Sequence, residues 1–302
     1  MLESILAGIS SALSVDVDLL KLILCMFIAC LPAYIWGYIY YMKNSEPRKT
    51  VILSFFAGAL SVIPILLYKL SWKSNPHLEI FVYTDKFSHI SVPLFFVTVP
   101  LSVILAFMFV GLIEEYMKHF AVRAVDKKKY FNTIDDAIEF SIIASLGFSF
   151  VENIMYFYFI WVGQGVEQFF IAFIFRSIFS TFAHILFSGM YGYYYGIAYF
   201  STPIFQKEIK KKRMLFTRIL HKITHIRSEK LFHKEKIVEG LLIAIALHAV
   251  FDIFLEVGWT YIILPYLIIG YLVLDYIFDK KEDHINYGRL MRRREKKEDK
   301  KK

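Results

Sequence analysis

Cysteine is almost absent: Cys25 and Cys30 are the only two among 302 residues. They share one apolar stretch, and five residues apart on a helix they point in different directions. A disulfide between them is therefore not expected, and a cysteine-based zinc motif is excluded. No Lys or Arg precedes Lys21, so the basic start of a cleaved signal peptide is missing. There is no His-Glu-x-x-His, no Gly-x-Ser-x-Gly and no Gly-rich phosphate loop. Zincin-type metal chemistry, the serine-hydrolase elbow and nucleotide phosphate binding lose their usual signatures. No internal repeat is visible, which counts against the paired architecture common in transporters.

What the chain does have is apolar length. Hydrophobic residues make up 57% and mean hydropathy is +0.50, more than a soluble domain needs. Hydropathy predicts membrane helices at about 19–42, 50–71, 89–122, 137–162, 167–200, 237–257 and 259–279. The third stretch is overlong and carries Pro93 and Pro100, which break helices. Its crossing is placed at 101–122, with 89–100 as an outer half-helix or re-entrant piece. A full crossing there would make eight spans instead of seven. Before the first span, Leu2, Ile5, Leu6, Ile9 and Leu13 recur at helical spacing, predicting an amphipathic surface helix over 1–18.

The net charge of +8 is uneven: eleven Lys/Arg lie within 201–236 and eleven within 280–302. Beside membrane spans, such clusters indicate cytoplasmic loops facing anionic lipid, not nucleic acid. The loop and the tail after 289 are too charged to form a core. Basic loops at 43–49, 123–129, 201–236 and after 280 alternate with loops lacking Lys and Arg. Lys73 and Lys86, in an outer loop, are the mild exceptions. The positive-inside rule then places the N-terminus outside and the C-terminus in the cytoplasm. The expected fold is an all-α polytopic bundle of about seven transmembrane helices in the cell membrane. It divides into N-terminal helices over 19–100, a core over 101–257, and a last helix with its basic tail over 258–302.

Ionisable residues inside such helices cost about 2.5–3.5 kcal/mol each on insertion scales and usually mark a site. Four groups stand out. In Glu114-Glu115-x-x-Lys118, Glu114 and Lys118 can pair at spacing four, leaving Glu115 about 100° away. Glu152 shares a face with Tyr156, and Asn153 follows it. Arg176 and His184 lie in the fifth span, where Gly192 and Gly196 suit close helix packing. His248 and Asp252 lie four apart on one face. Each group alone also reads as a helix end, a buried hydrogen-bond network or a plain ion pair. Together they place acids and histidines on four helices at overlapping depth. Such a set can hold zinc with an open position for water, or polarise water with no metal; peptide hydrolysis is one reaction it supports. Proton- or ion-coupled transport, which proton flux in liposomes would reveal, and a non-catalytic binding or immunity role remain alternatives.

Between about 110 and 255 the order of motifs resembles the PrsW family of bacterial intramembrane proteases, part of a wider group with the CAAX prenyl endoproteases. The matching elements are Glu114-Glu115-x-x-Lys118, Asp135-Asp136 leading into Gly147-Phe-Ser-Phe-Val-Glu152-Asn153-x-x-Tyr156, Arg176 with His184, and His248-x-x-x-Asp252. The resemblance implies cleavage of a single-pass membrane-anchored protein, such as an anti-sigma factor, in stress signalling. It implies Glu114, Glu115, His184 and His248 as the functional core. Asp252 stands where the wider group often has Asn, which favours a ligand or orienting role over donation to an oxyanion. The expected mechanism has Glu152, His184 and His248 holding zinc or a water, with Glu115 assisted by Glu114 as base. Arg176, the metal or a histidine faces the oxyanion, Asn153 lies beside that subsite, and Tyr156 meets Glu152 or the substrate.

Overall fold

A computed structural model describes residues 16–43, 48–94, 97–126, 131–200 and 228–278. Nearly all of the predicted surface helix at 1–18, most of the basic loop and the basic tail lie outside the described residues.

The chain runs through α1 (Val17–Lys43), α2 (Arg48–Leu60), α3 (Ile63–Ser74) and the short α4 (Ile80–Thr84). A hairpin follows, β1 (Ser91–Leu94) and β2 (Val97–Pro100), then α5 (Leu101–Asp126) and α6 (Ile134–Gln164). Next come α7 (Val166–Phe175), a π turn (Arg176–Ser180), α8 (Thr181–Tyr199), α9 (Ser228–Glu256) and α10 (Thr260–Phe278). Among the described residues, six helical stretches are long and apolar enough to cross a membrane. The acids and Lys118 within α5 keep that helix out of this set, although its 26 residues are long enough.

Pro100 closes β2 and Leu101 starts α5, as the proline argument requires. The segment before it differs from the expected half-helix. It is an antiparallel pair with Ser91 opposite Pro100 and Val92 opposite Val99. Pro93 cannot donate to a helical ladder, whereas a two-stranded edge tolerates it. Two four-residue strands are also too short for a crossing. The sixth predicted span starts earlier than hydropathy suggested, at Ser228, so the end of the basic loop belongs to α9.

α6 is the central pillar, buried along most of its length and packed by α1, α2, α5 and α8. Between helices in lipid there is little hydrophobic gain, so close backbone approach and dispersion hold the bundle. A Cβ on Gly147 of α6 would lie 1.9 Å from the Phe55 carbonyl oxygen of α2. On the other side, a Cβ on Gly192 would lie 2.7 Å from Ile138 Cα, and one on Gly196 2.8 Å from Ile134 Cγ2. The small-residue pair thus packs as its spacing predicts. Large apolar side chains such as Phe27, Tyr34 and Phe159 point outward, as suits a lipid-facing surface.

The start of α6 is fixed by a capping box. Asp136 N–H donates to Thr133 Oγ1 at 3.2 Å, and Thr133 N–H donates to Asp136 Oδ2 at 3.0 Å. Asp136, part of the family-like pattern, therefore serves the helix terminus. Thr133→Ala is expected to lower stability by about 1 kcal/mol without changing the site. Denaturant unfolding in detergent checks this.

Candidate active site

Five elements converge, and the nine residues expected at the site from the sequence meet there. α5 brings Glu114 and Glu115, and α6 brings Glu152, Asn153 and Tyr156. The π turn and α8 bring Arg176 and His184, and α9 brings His248 and Asp252. Most of them line a cavity of about 510 Å³, to which aromatic residues of α3 and α4 such as Tyr68, Trp72 and Phe81 also contribute.

The π turn sets part of this geometry. Along an unbroken α-helix, Arg176 and His184 would point about 80° apart. The wider turn reduces that rotation, and both side chains reach the same atom. Arg176 Nη2 and His184 Nε2 each lie 2.9 Å from Glu152 Oε2. Thr181 Oγ1 donates to the Arg176 carbonyl across the wide turn at 2.9 Å, and Trp36 Nε1 donates to the Ser177 carbonyl at 2.9 Å. The carbonyls that a π turn exposes are thus partnered.

Asn153 locks the other side of Arg176. Its Oδ1 accepts from Arg176 Nε at 2.8 Å, and its Nδ2 donates to Thr181 Oγ1 at 3.2 Å. Tyr156 does not meet Glu152 through a hydrogen bond among the described contacts. Its ring instead lies 3.8 Å from the Arg176 guanidinium carbon, a cation–π arrangement.

The two glutamates of α5 differ from the expected pairing. Lys118 donates to Glu115 Oε1 at 2.7 Å, at spacing three, and not to Glu114. Spacings of three and four are both permitted on a helix, so sequence alone does not choose. Glu115, 2% exposed, also holds His248 Nδ1 at 2.8 Å. Glu114 faces the cavity, and its Oε2 is buried with no hydrogen-bond partner. It lies 3.6 Å from His248 Nε2, while Asp252 Oδ2 lies 3.5 Å from the same nitrogen.

Lys118 is the functional neighbour that sequence reasoning underestimated. Its Nζ also lies 2.8 Å from His184 Nδ1, joining α5 to α8. Ser149 and Thr181 were missed too. Small hydroxyl residues are common in membrane helices and carry no signal of their own.

Ligand atoms of Glu114, His184 and His248 all lie within 4.8 Å of one another. A carboxylate with two imidazoles, one carboxylate oxygen of Glu114 being buried without a hydrogen-bond partner, is chemistry that suits a divalent ion such as zinc. Glu152, expected as a ligand, stands outside this convergent set and is engaged by Arg176 and His184.

The family model for the PrsW family intramembrane metalloprotease matches residues 46–277. Over 191 residues the chain is 29% identical to the protease PrsW of Oceanobacillus iheyensis, covering 63% of this chain and 73% of that one. Over 248 residues it is 26% identical to the protease PrsW of Clostridioides difficile, covering 82% and 84%. No solved structure matches the chain significantly. The polar cluster sits wholly within the matched span, and the chain belongs to the PrsW family of intramembrane metalloproteases.

Proposed function

We propose that this protein cuts a single-pass membrane-anchored protein with a water activated between Glu114 and His248. One observation carries the reading: Glu114 Oε2 is buried without a partner, faces the cavity and lies 3.6 Å from His248 Nε2. An unpaired buried acceptor is costly, and a water between these atoms satisfies both.

In this reading Glu115 takes the N–H of His248 Nδ1, which turns the Nε2 lone pair toward the water. Glu114 accepts the water proton as the oxygen attacks the peptide carbonyl. Arg176, held rigid by Glu152, Asn153 and Tyr156, keeps further N–H groups for the developing oxyanion. Asp252 is a second acceptor beside the attacking water. A divalent ion held by Glu114, His248 and His184 supplies Lewis acidity when bound. The substrate helix must unwind locally, because helical carbonyls are already hydrogen bonded.

The family resemblance supports an anti-sigma factor as substrate, cleaved early in a stress response. The basic loops support seven crossings with the N-terminus outside and the C-terminus facing anionic cytoplasmic lipid.

The test uses the full chain purified in detergent with a candidate single-pass substrate. His248→Ala is expected to reduce cleavage at least about 100-fold, read by mass spectrometry of the products. Full cleavage by this variant overturns the assignment. In the same samples, zinc near one per chain supports the metal-assisted form, and activity surviving complete chelation supports glutamate and water alone.

A further inference from the structure

The hydrogen bonds around the two histidines are not equivalent. A neutral imidazole has one N–H and one lone pair, and a lysine ammonium only donates. Lys118 Nζ, 2.8 Å from His184 Nδ1, therefore uses the His184 lone pair. The N–H then sits on Nε2, where Glu152 Oε2 accepts it at 2.9 Å. The opposite tautomer would set an N–H against the ammonium and a lone pair against the carboxylate. Both nitrogens of His184 are thus committed. His248 is different: its Nδ1 is held by Glu115 at 2.8 Å, and its Nε2 is open toward Glu114 and Asp252. Of the three converging ligand residues, two offer free lone pairs and the third does not.

We propose that Lys118 and a metal ion compete for His184, so that the ammonium is a built-in cation withholding the third ligand until it moves. This rests on reading the cluster as a metal centre. The placement of Lys118 suits the role. It is 2% exposed, it is paired with Glu115 at 2.7 Å, and its Nζ lies 4.5 Å from the centre of the Phe148 ring. A charge so enclosed is weakly screened, and a second cation placed beside it is repelled strongly. Displacement costs His184 its Lys118 contact and leaves the ammonium on Glu115 and Phe148. Metal affinity is thereby tuned by a residue that is not a ligand.

The experiment titrates Co²⁺ into the metal-stripped full chain in detergent. It reads the visible absorption of the bound ion, with bound metal counted independently. Lys118→Met is expected to bind Co²⁺ on the order of tenfold more tightly than the wild type, or more. Lys118→Arg, which keeps a cation, is expected to bind no more tightly than the wild type. Adding His184→Ala to Lys118→Met should abolish the gain. Equal affinity of Lys118→Met and wild type, with His248→Ala weakening both, overturns the competition and leaves the metal centre standing. A gain that survives the loss of His184 also overturns it. Absence of Co²⁺ binding in every variant overturns the metal reading and this inference with it. If Lys118→Met does not survive purification, Lys118→Gln makes the same comparison, because it too is uncharged.

Discussion

Glu114→Gln is expected to lower the cleavage rate about 10²–10⁴-fold, the usual contribution of a general base, while leaving stability near that of the wild type. The amide keeps the shape of the carboxylate but cannot take a proton. Glu114 Oε2 makes no hydrogen bond that the change would break. Glu115→Gln should behave differently. Glu115 is the counter-charge of Lys118 and the acceptor for His248. Breaking a buried pair from one side costs about 3–5 kcal/mol, so this variant should lose stability along with activity. The spacing of the sequence favoured Glu115 as the base and Glu114 as its assistant; the proposed mechanism exchanges these roles, because Glu115 is already held by Lys118 and His248. Initial rates on a fluorogenic transmembrane substrate, with unfolding followed by SDS titration, separate the two variants. A Glu114→Gln rate within a few-fold of wild type would sink the base assignment.

Gly147→Leu is expected to prevent stable assembly of the bundle. The first added carbon already falls 1.9 Å from the Phe55 carbonyl oxygen and 2.9 Å from the Ala59 nitrogen. Backbone atoms of a helix cannot swing aside as a side chain can. The two helices must separate, and α6 also carries Glu152 and Asn153, so the site would be disturbed with them. Overpacking in a dense interior costs about 1–3 kcal/mol in ordinary cases, and a backbone collision exceeds that range. Gly163, on the same helix, has nothing within 4 Å of an added Cβ, and Gly163→Ala should be harmless. Size-exclusion profiles and thermal unfolding in detergent give the comparison. A monodisperse, wild-type-like Gly147→Leu would show that close α2–α6 approach at Gly147 is not what holds the bundle.

Much of the plan is legible in the sequence. Lipid cannot satisfy a backbone hydrogen bond, so long apolar runs had to be helices, and the helices fall close to the predicted spans. Charges inside such runs are expensive, so they pointed to a site; the nine residues expected there meet. The strand pair at 91–94 and 97–100 escaped prediction because a short apolar segment with prolines has no period that distinguishes a half-helix from two brief strands. The π turn escaped because a wide turn leaves no mark in composition. It nevertheless brings Arg176 and His184 onto one carboxylate oxygen.

Apolar length and costly buried charge by themselves determined that the chain lives in a membrane as a helical bundle and pointed to most of the residues of its polar centre. These follow from transfer energies, which depend on residue type and run length alone. Tertiary structure decided the partners: Lys118 with Glu115 and His184, Glu152 with Arg176, and Glu114 left open to the cavity. Which of two helix-permitted spacings pairs, and which nitrogen of a histidine stays free, depends on atoms from other helices. The sequence lists those atoms, but only packing sets their distances.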